Sequence, residues 1–382
     1  MLKRHDRFFQ LFFIFSVIFS CSSLSSYEAS KFHPGHDRIL LIIGQDNDSI
    51  AGYVNEGSFP EPAGVVFYTS LTMSSALRGL YNDENYGAGR LNASELLSKY
   101  QNSVLVIGLY VVGALDDIVS GKLDRKLDEL GRFIEEADRP VFLRFGYEFE
   151  GPWNAYDSAS YVQAFRYTRN RLAKITDNFA MVWQAAASPW GTYERYSSYY
   201  KLLEAYYPGD AYVDWCGFSV FAVNSRAFPE LVSLDIAERQ REAILDFARA
   251  HAKPVMICEA TPQGYDIEGK TRSAIVPVYY KGRHYNPGDV IEKKSSEDIW
   301  QEWFVPFLNF IKRNRDIIKA VVYINADWNK QPMWAHPYRN GYWGDSRIQV
   351  DEYIASMWQN EIESGMWVNS DKGLFEYLGY QK

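Results

Sequence analysis

Eight short apolar runs, separated by longer segments with helical periodicity, constrain this chain more than any other feature. They are RILLIIG (38–44), GVVFYTS (64–70), SVLVIGLYV (103–111), PVFLRFGYEF (140–149), FAMVWQAA (179–186), VDWCGFSVF (213–221), KPVMICEAT (253–261) and KAVVYINADW (319–328). The runs are continuous rather than alternating, as expected of parallel strands covered by helices. Between the third and fourth, Leu123, Leu127, Leu130, Phe133 and Ile134 recur at helical spacing. SASYVQAFRYTRNRLAKI, IAERQREAILDFARAHA and SEDIWQEWFVPFLNFIKRN are further helical stretches, and RIQVDEYIASMWQNEIES supplies a helix after the last run. The helical signal is weakest over 72–100, where only NASELLSKY carries it. Strand then helix, eight times over, predicts an α/β fold of the (β/α)8 TIM-barrel type. No internal repeat and no linker divides the chain after residue 35, so residues 36–382 are expected to form one barrel domain.

In such a barrel the chemistry stands at the C-terminal ends of the strands. Gln45 and Asp46 follow the first run, Tyr147 and Glu148 end the fourth, and Trp183 and Gln184 end the fifth. Ser219 and Phe221 end the sixth, Glu259 the seventh, and Asn325, Asp327 and Trp328 the eighth. Trp153 and Trp334 follow in loops, and His336 comes in the loop after the last strand. Two glutamates on strands four and seven are thus expected to face each other across one mouth. Glycoside hydrolysis needs that pair: one carboxylic acid to protonate the departing oxygen, and a second carboxylate near the anomeric carbon.

Each residue also has a plainer reading. Arg144 lies four positions before Glu148 on the same face of a strand, so an ion pair between them competes with catalysis. Glu259 can be read as a cap or loop residue. Trp153 and Trp334 divide between sugar platforms and loop packing, while Trp183 reads as core lining. Asp46 and Asp327 can satisfy backbone donors in turns. Gln184 and Asn325 are candidate partners for sugar hydroxyls.

Composition excludes other classes. A formal charge of −8 argues against nucleic acid or an anionic membrane surface as partner. There is no phosphate-cradling Gly-rich loop and no Cys/His cluster with zinc-ligand spacing, so neither cofactor nor metal is expected. With 28 Tyr, 23 Phe and 11 Trp, some aromatic faces are expected to line a cleft, where they stack on sugar rings. Cys216 and Cys258 lie inside apolar runs and read as buried thiols rather than a disulfide framework.

The first 20 residues read as a targeting segment: basic MLKRHDR, then the apolar FFQLFFIFSVIF, too short for a comfortable span. IFSC, ending at Cys21, resembles the lipobox of bacterial lipoproteins, with Phe19 unusual in that pattern. The expectation is an exported protein, at the outer membrane or periplasmic or extracellular. Cys21 is then lipidated, residues 21–35 serve as a tether, and the lipid is the only tie to a membrane. A plain secretory signal is the alternative.

VFLRFGYEFEGPWNAY, YVQAFRYTRNRL and FAMVWQAA resemble the acid/base region of glycoside hydrolase family 26; VDWCGFSVF, KPVMICEA, YINADW and WGDSRI resemble its later strands and tail. The resemblance spans about 38–360. It implies a retaining endo-β-glycanase acting on a polysaccharide or oligosaccharide, with Glu148 as acid/base, Glu259 as nucleophile and Trp328 stacked on the sugar at the cleaved position; the chain is separately expected to be a monomer. It implies β-mannan as first substrate, then β-1,3-xylan or mixed-linked β-glucan. Tyr147 stands where the family usually has His, and can hydrogen-bond a sugar. Phe221 stands where it usually has the Tyr that holds the nucleophile, and cannot hold a carboxylate. These departures leave open a barrel with weakened catalysis that binds carbohydrate at a surface.

Overall fold

The protein is described from a computed structural model, which covers residues 30–57, 59–72, 76–187, 198–221, 234–273 and 291–381, without the side chains of residues 234 and 235. Cys21 and the targeting segment lie outside the described residues.

Each apolar run contains one strand. These are β1 (Ile39–Gly44), β2 (Gly64–Ser70), β3 (Val104–Tyr110), β4 (Val141–Phe145), β5 (Phe179–Ala185), β6 (Trp215–Val220), β7 (Val255–Ala260) and β8 (Ile318–Ile324). Neighbours pair in parallel in chain order, and β8 closes on β1 from Leu40↔Ala320 to Gly44↔Ile324. This is the expected closed (β/α)8 barrel. Polar caps start the covering helices: Asn92 accepts from Glu95 N, Asp157 from Ser160 N, and Asp351 from Ile354 N. The π turn Trp300–Phe304 leads into helix Val305–Arg313 just ahead of Pro306, whose ring and missing N–H would break a regular α ladder.

Side chains alternate along the strands. One set, including Leu41, Val65, Ile107, Leu143, Met181 and Ile257, packs outward against the helices. The other, including Leu40, Ile42, Val66, Val106, Phe142, Val182, Met256 and Val322, fills the barrel. Both ends of the described chain seal the floor. Phe32 meets Phe142 edge-on at 5.7 Å, and Val368, Leu374, Leu378 and Tyr380 join the same cluster. Phe32 is thus part of the fold, ahead of the domain start expected at residue 36; burying such a ring stabilises by about 1.5–3 kcal/mol.

Cys216 faces the helices and Cys258 the interior, and both are free and buried. Burial raises both thiols, Cys258 to about 12, so neither is a ready nucleophile.

Candidate active site

One layer above the apolar filling, the barrel turns polar. Continuing the inward register of each strand brings Tyr68 on β2, Arg144 on β4, Gln184 on β5 and Ser219 on β6 to the same height. Gly108 on β3 makes room there: a Cβ at that position would lie 2.5 Å from the Tyr68 ring. Glu259 joins the layer through a bulge. In β7 the register to β6 shifts between Phe218↔Ile257 and Ser219↔Glu259. Strict alternation would send Glu259 to the face opposite inward-pointing Cys258; the extra residue turns it inward.

Arg144 is fully buried, and each of its nitrogens is used. Nη2 donates to Glu259 Oε1 in a short ion pair, Nη1 to the Tyr68 hydroxyl at 3.0 Å, and Nε to Gln184 Oε1 at 2.7 Å. The guanidinium also lies 5.2 Å from the ring centres of Tyr68 and Tyr147, which meet edge-on. The Tyr68 hydroxyl donates to Glu259 Oε1 at 2.8 Å. Glu259 is thereby held between a cation and a hydroxyl. The strand-face ion pair between Arg144 and Glu148 does not form: Arg144 belongs to Glu259.

Glu148 is delivered differently. β4 ends at Phe145, so Tyr147 and Glu148 stand in the following turn rather than at the tip of the strand. Gly146 has φ +51° and Glu148 φ +56°, a left-handed conformation that a non-glycine residue adopts at a cost. Asn154 Nδ2 holds the turn by donating to the carbonyls of Tyr147 and Glu148, each at 2.9 Å. Glu148 Oε1 accepts from Ser219 Oγ at 2.8 Å and Oε2 from Trp153 Nε1 at 2.9 Å. Burial first, and then the charge of Glu259, push the Glu148 carboxyl up to about 8. The mouth thus holds one carboxyl paired with a cation and one carboxylic acid kept protonated, and glycoside hydrolysis uses two carboxyls in different environments. Among the described residues, no cluster of three or more His, Cys, Asp or Glu is placed to hold a metal.

The Glycosyl hydrolase family 26 model matches residues 110–258. A β-1,3-xylanase of Alcaligenes sp. is 37% identical over 348 residues, 90% of this chain and 68% of that one. The β-1,3-xylanase TXYA of Vibrio sp. is 38% identical over 345 residues, with the same coverage. The chain belongs to glycoside hydrolase family 26. The structure of GH26C from Muricauda sp. superposes with a TM-score of 0.55 at 14% identity, covering 88% of each chain, and shares the fold. The protein is therefore a glycoside hydrolase with a polysaccharide substrate, and the binding-only barrel gives way to an enzyme.

The family 26 site needs several corrections to the expected residue set. Gln184 is fully buried with both ends of its amide engaged, by Arg144 and by Ser219, so it serves the carboxylates rather than a sugar. Asn325 is equally sealed. Its amide donates to Ser49 O and Gln349 Oε1, and its oxygen accepts from Ile348 N, tying β8 to its surroundings. Trp328 is only 2% exposed, donates to Ser346 Oγ at 3.0 Å and packs on Trp343 at 4.7 Å and Trp334 at 5.5 Å, which leaves little face for a sugar. Phe221 meets Trp343 edge-on at 5.0 Å in the same cluster. The hydroxyl it lacks reaches Glu259 from Tyr68 instead. Trp153, 49% exposed, is the aromatic best placed to meet a sugar beside Glu148. Tyr147 and Trp334 are half-buried, and His336 is exposed against Tyr338. Asp46 caps helix Asn47–Ala51, and Asp327 pairs with Lys330 at 2.7 Å, as turn residues do. Trp183 stacks on Phe149 in the core.

Tyr68 and Ser219 are the residues that reading the sequence leaves without a role. Each is the polar member of its strand's inward register, Val66 to Tyr68 and Gly217 to Ser219, and that parity is the signal that finds them.

Proposed function

We propose that this chain is a retaining β-1,3-xylanase. The observation that carries the substrate is its identity of 37–38% over 90% of the chain to two β-1,3-xylanases, which displaces β-mannan as first choice. In the first step a Glu259 carboxylate oxygen attacks the anomeric carbon. The bond to the glycosidic oxygen breaks, and Glu148 gives that oxygen its proton, leaving a covalent xylosyl-enzyme. In the second step Glu148, now ionised, takes a proton from water as the water attacks the same carbon and Glu259 departs as a carboxylate. Esterification removes the Glu259 charge, the second cause of the raised Glu148 carboxyl, so the acid of the first step becomes available as the base of the second. Because Glu148 must be protonated in the free enzyme, kcat/KM is expected to fall as pH rises through about 8.

Reducing-sugar release from β-1,3-xylan, β-mannan and mixed-linked β-glucan tests the substrate; preference for mannan overturns it. The anomer of the first product, read by NMR, tests the mechanism: retaining enzymes hold their carboxyls ~5–5.5 Å apart, whereas inverting ones leave ~6.5–9.5 Å for a water. An inverted product removes Glu259 as nucleophile. Export through a lipidated Cys21 is supported by the IFSC sequence, and Cys21→Ser is expected to move the protein out of the membrane fraction.

A further inference from the structure

We propose that Ser219 is a positioning residue for the acid/base, held as a one-way hydrogen-bond donor to Glu148 Oε1 by the direction of the Arg144–Gln184 contact. The proposal rests on Glu148 being the acid/base, as argued above.

The direction follows from donor chemistry. A guanidinium only donates, so the Gln184 atom facing Arg144 Nε at 2.7 Å must be the amide oxygen. That turns the Gln184 NH2 toward Ser219 Oγ, 3.1 Å away. Ser219 Oγ accepts this hydrogen, and its own proton goes to its remaining partner, Glu148 Oε1, at 2.8 Å. Ser219 is 2% exposed, and its hydroxyl has no other hydrogen-bond partner among the described residues. If Glu148 instead donated to Ser219, the serine proton would be left buried without an acceptor, which is costly. On the other carboxyl oxygen, Trp153 Nε1 can likewise only donate. Both Glu148 oxygens therefore receive donors, and the acid proton is left on a lone pair that faces neither.

The arrangement serves the two roles of one carboxyl. The titratable and charged groups around Glu148 are Glu259 and Cys258 of β7, Arg144 of β4, and Glu150, Tyr147 and Tyr156 of its own loop. Burial, Glu259 and Glu150 favour the neutral acid; the Ser219 hydrogen bond and Arg144 favour the carboxylate. Glu150 accepts from Ala186 N, Ala187 N and the Tyr199 hydroxyl. Ser219 is the neutral donor that keeps ionisation within reach for the second step, and Gln184 carries the orientation set by the cation under the nucleophile across to the acid.

The test compares Ser219→Ala, Ser219→Thr and Gln184→Met with the wild type over a pH series, with thermal midpoints measured alongside. In Ser219→Ala the alkaline limb of kcat/KM on β-1,3-xylan is expected to rise by about one pH unit. With an aryl xyloside of activated leaving group, kcat is expected to fall more than kcat/KM, because water attack needs the base. Ser219→Thr keeps the hydroxyl and is expected to restore the wild-type limb. Adding Gln184→Met to Ser219→Ala is expected to move the limb little further. An unshifted limb in Ser219→Ala protein with a wild-type thermal midpoint overturns the proposal. If that variant does not fold, an unshifted limb in Gln184→Met does the same. A wild-type limb persisting in Glu148→Ala, without rescue by azide, overturns the acid/base assignment itself.

Discussion

The end of β7 and the turn after β4 each bring one glutamate to the mouth, and they treat it in opposite ways. Glu259 sits within a strand, turned inward by a bulge, against a buried guanidinium and a tyrosine hydroxyl. Glu148 sits outside its strand in left-handed backbone, against a serine hydroxyl and an indole N–H, both neutral. A cation stabilises the charged form of the first; burial and the neighbouring charge stabilise the neutral form of the second. Two residues of the same type thus meet opposite environments because their partners differ. The partners come from separate strands.

The sharpest way to break this contrast is to remove the ionised member. Glu259→Ala is expected to cut turnover on xylan by about 10^4-fold or more, with no recovery on activated substrates, as loss of a nucleophile does. Steady-state rates on both substrate types check it. Glu148→Ala is expected to cost about 10^2–10^4-fold on xylan, while the first step on an activated aryl glycoside survives and azide accelerates the second. Burst kinetics with and without azide separate the two outcomes.

Exchanging the environments is the next smaller effect. Arg144→Met leaves the Glu259 carboxylate beside Tyr68 but without its cation. It is expected to destabilise the fold by about 3–5 kcal/mol in urea titrations, as breaking a buried ion pair does. With Glu259 no longer oriented by the cation, kcat on β-1,3-xylan is expected to fall as well. An unchanged kcat in folded protein would mean that Arg144 only packs. Phe221→Tyr tests the position where a tyrosine was expected. Because Tyr68 already supplies a hydroxyl to Glu259, kcat/KM is expected to change by about threefold or less. A larger gain would show that the hydroxyl from β2 is an inadequate substitute.

Much of this architecture is local in origin and so can be read from the chain. Eight continuous apolar runs separated by helical periodicity allow few folds other than a closed parallel barrel, because each run must be covered on its outer face. Glu148 and Glu259 stand out in the sequence because a carboxylate ending an apolar run has few roles. Trp183 was recognisable as core for the same reason: it continues its strand's apolar pattern. Asn325 and Gln184 mislead because a polar residue near a strand end looks the same in sequence whether it faces a sugar or seals a joint. Only the burial of their amides against Ser49, Gln349, Arg144 and Ser219 separates the two cases.

The sequence by itself therefore determined the barrel and its family and singled out the two glutamates, since all three rest on residues within single runs. The tertiary structure alone decided which glutamate receives the cation. Spacing along β4 offers Arg144 to Glu148, but the left-handed turn at Gly146 and Glu148 carries that carboxyl away, while the β7 bulge swings Glu259 into Arg144's reach. A side chain points where its backbone dihedrals and its strand's register send it. Register is set by neighbouring strands dozens of residues away, so the pairing that gives one carboxyl a cation and leaves the other among neutral donors exists only once the barrel has closed.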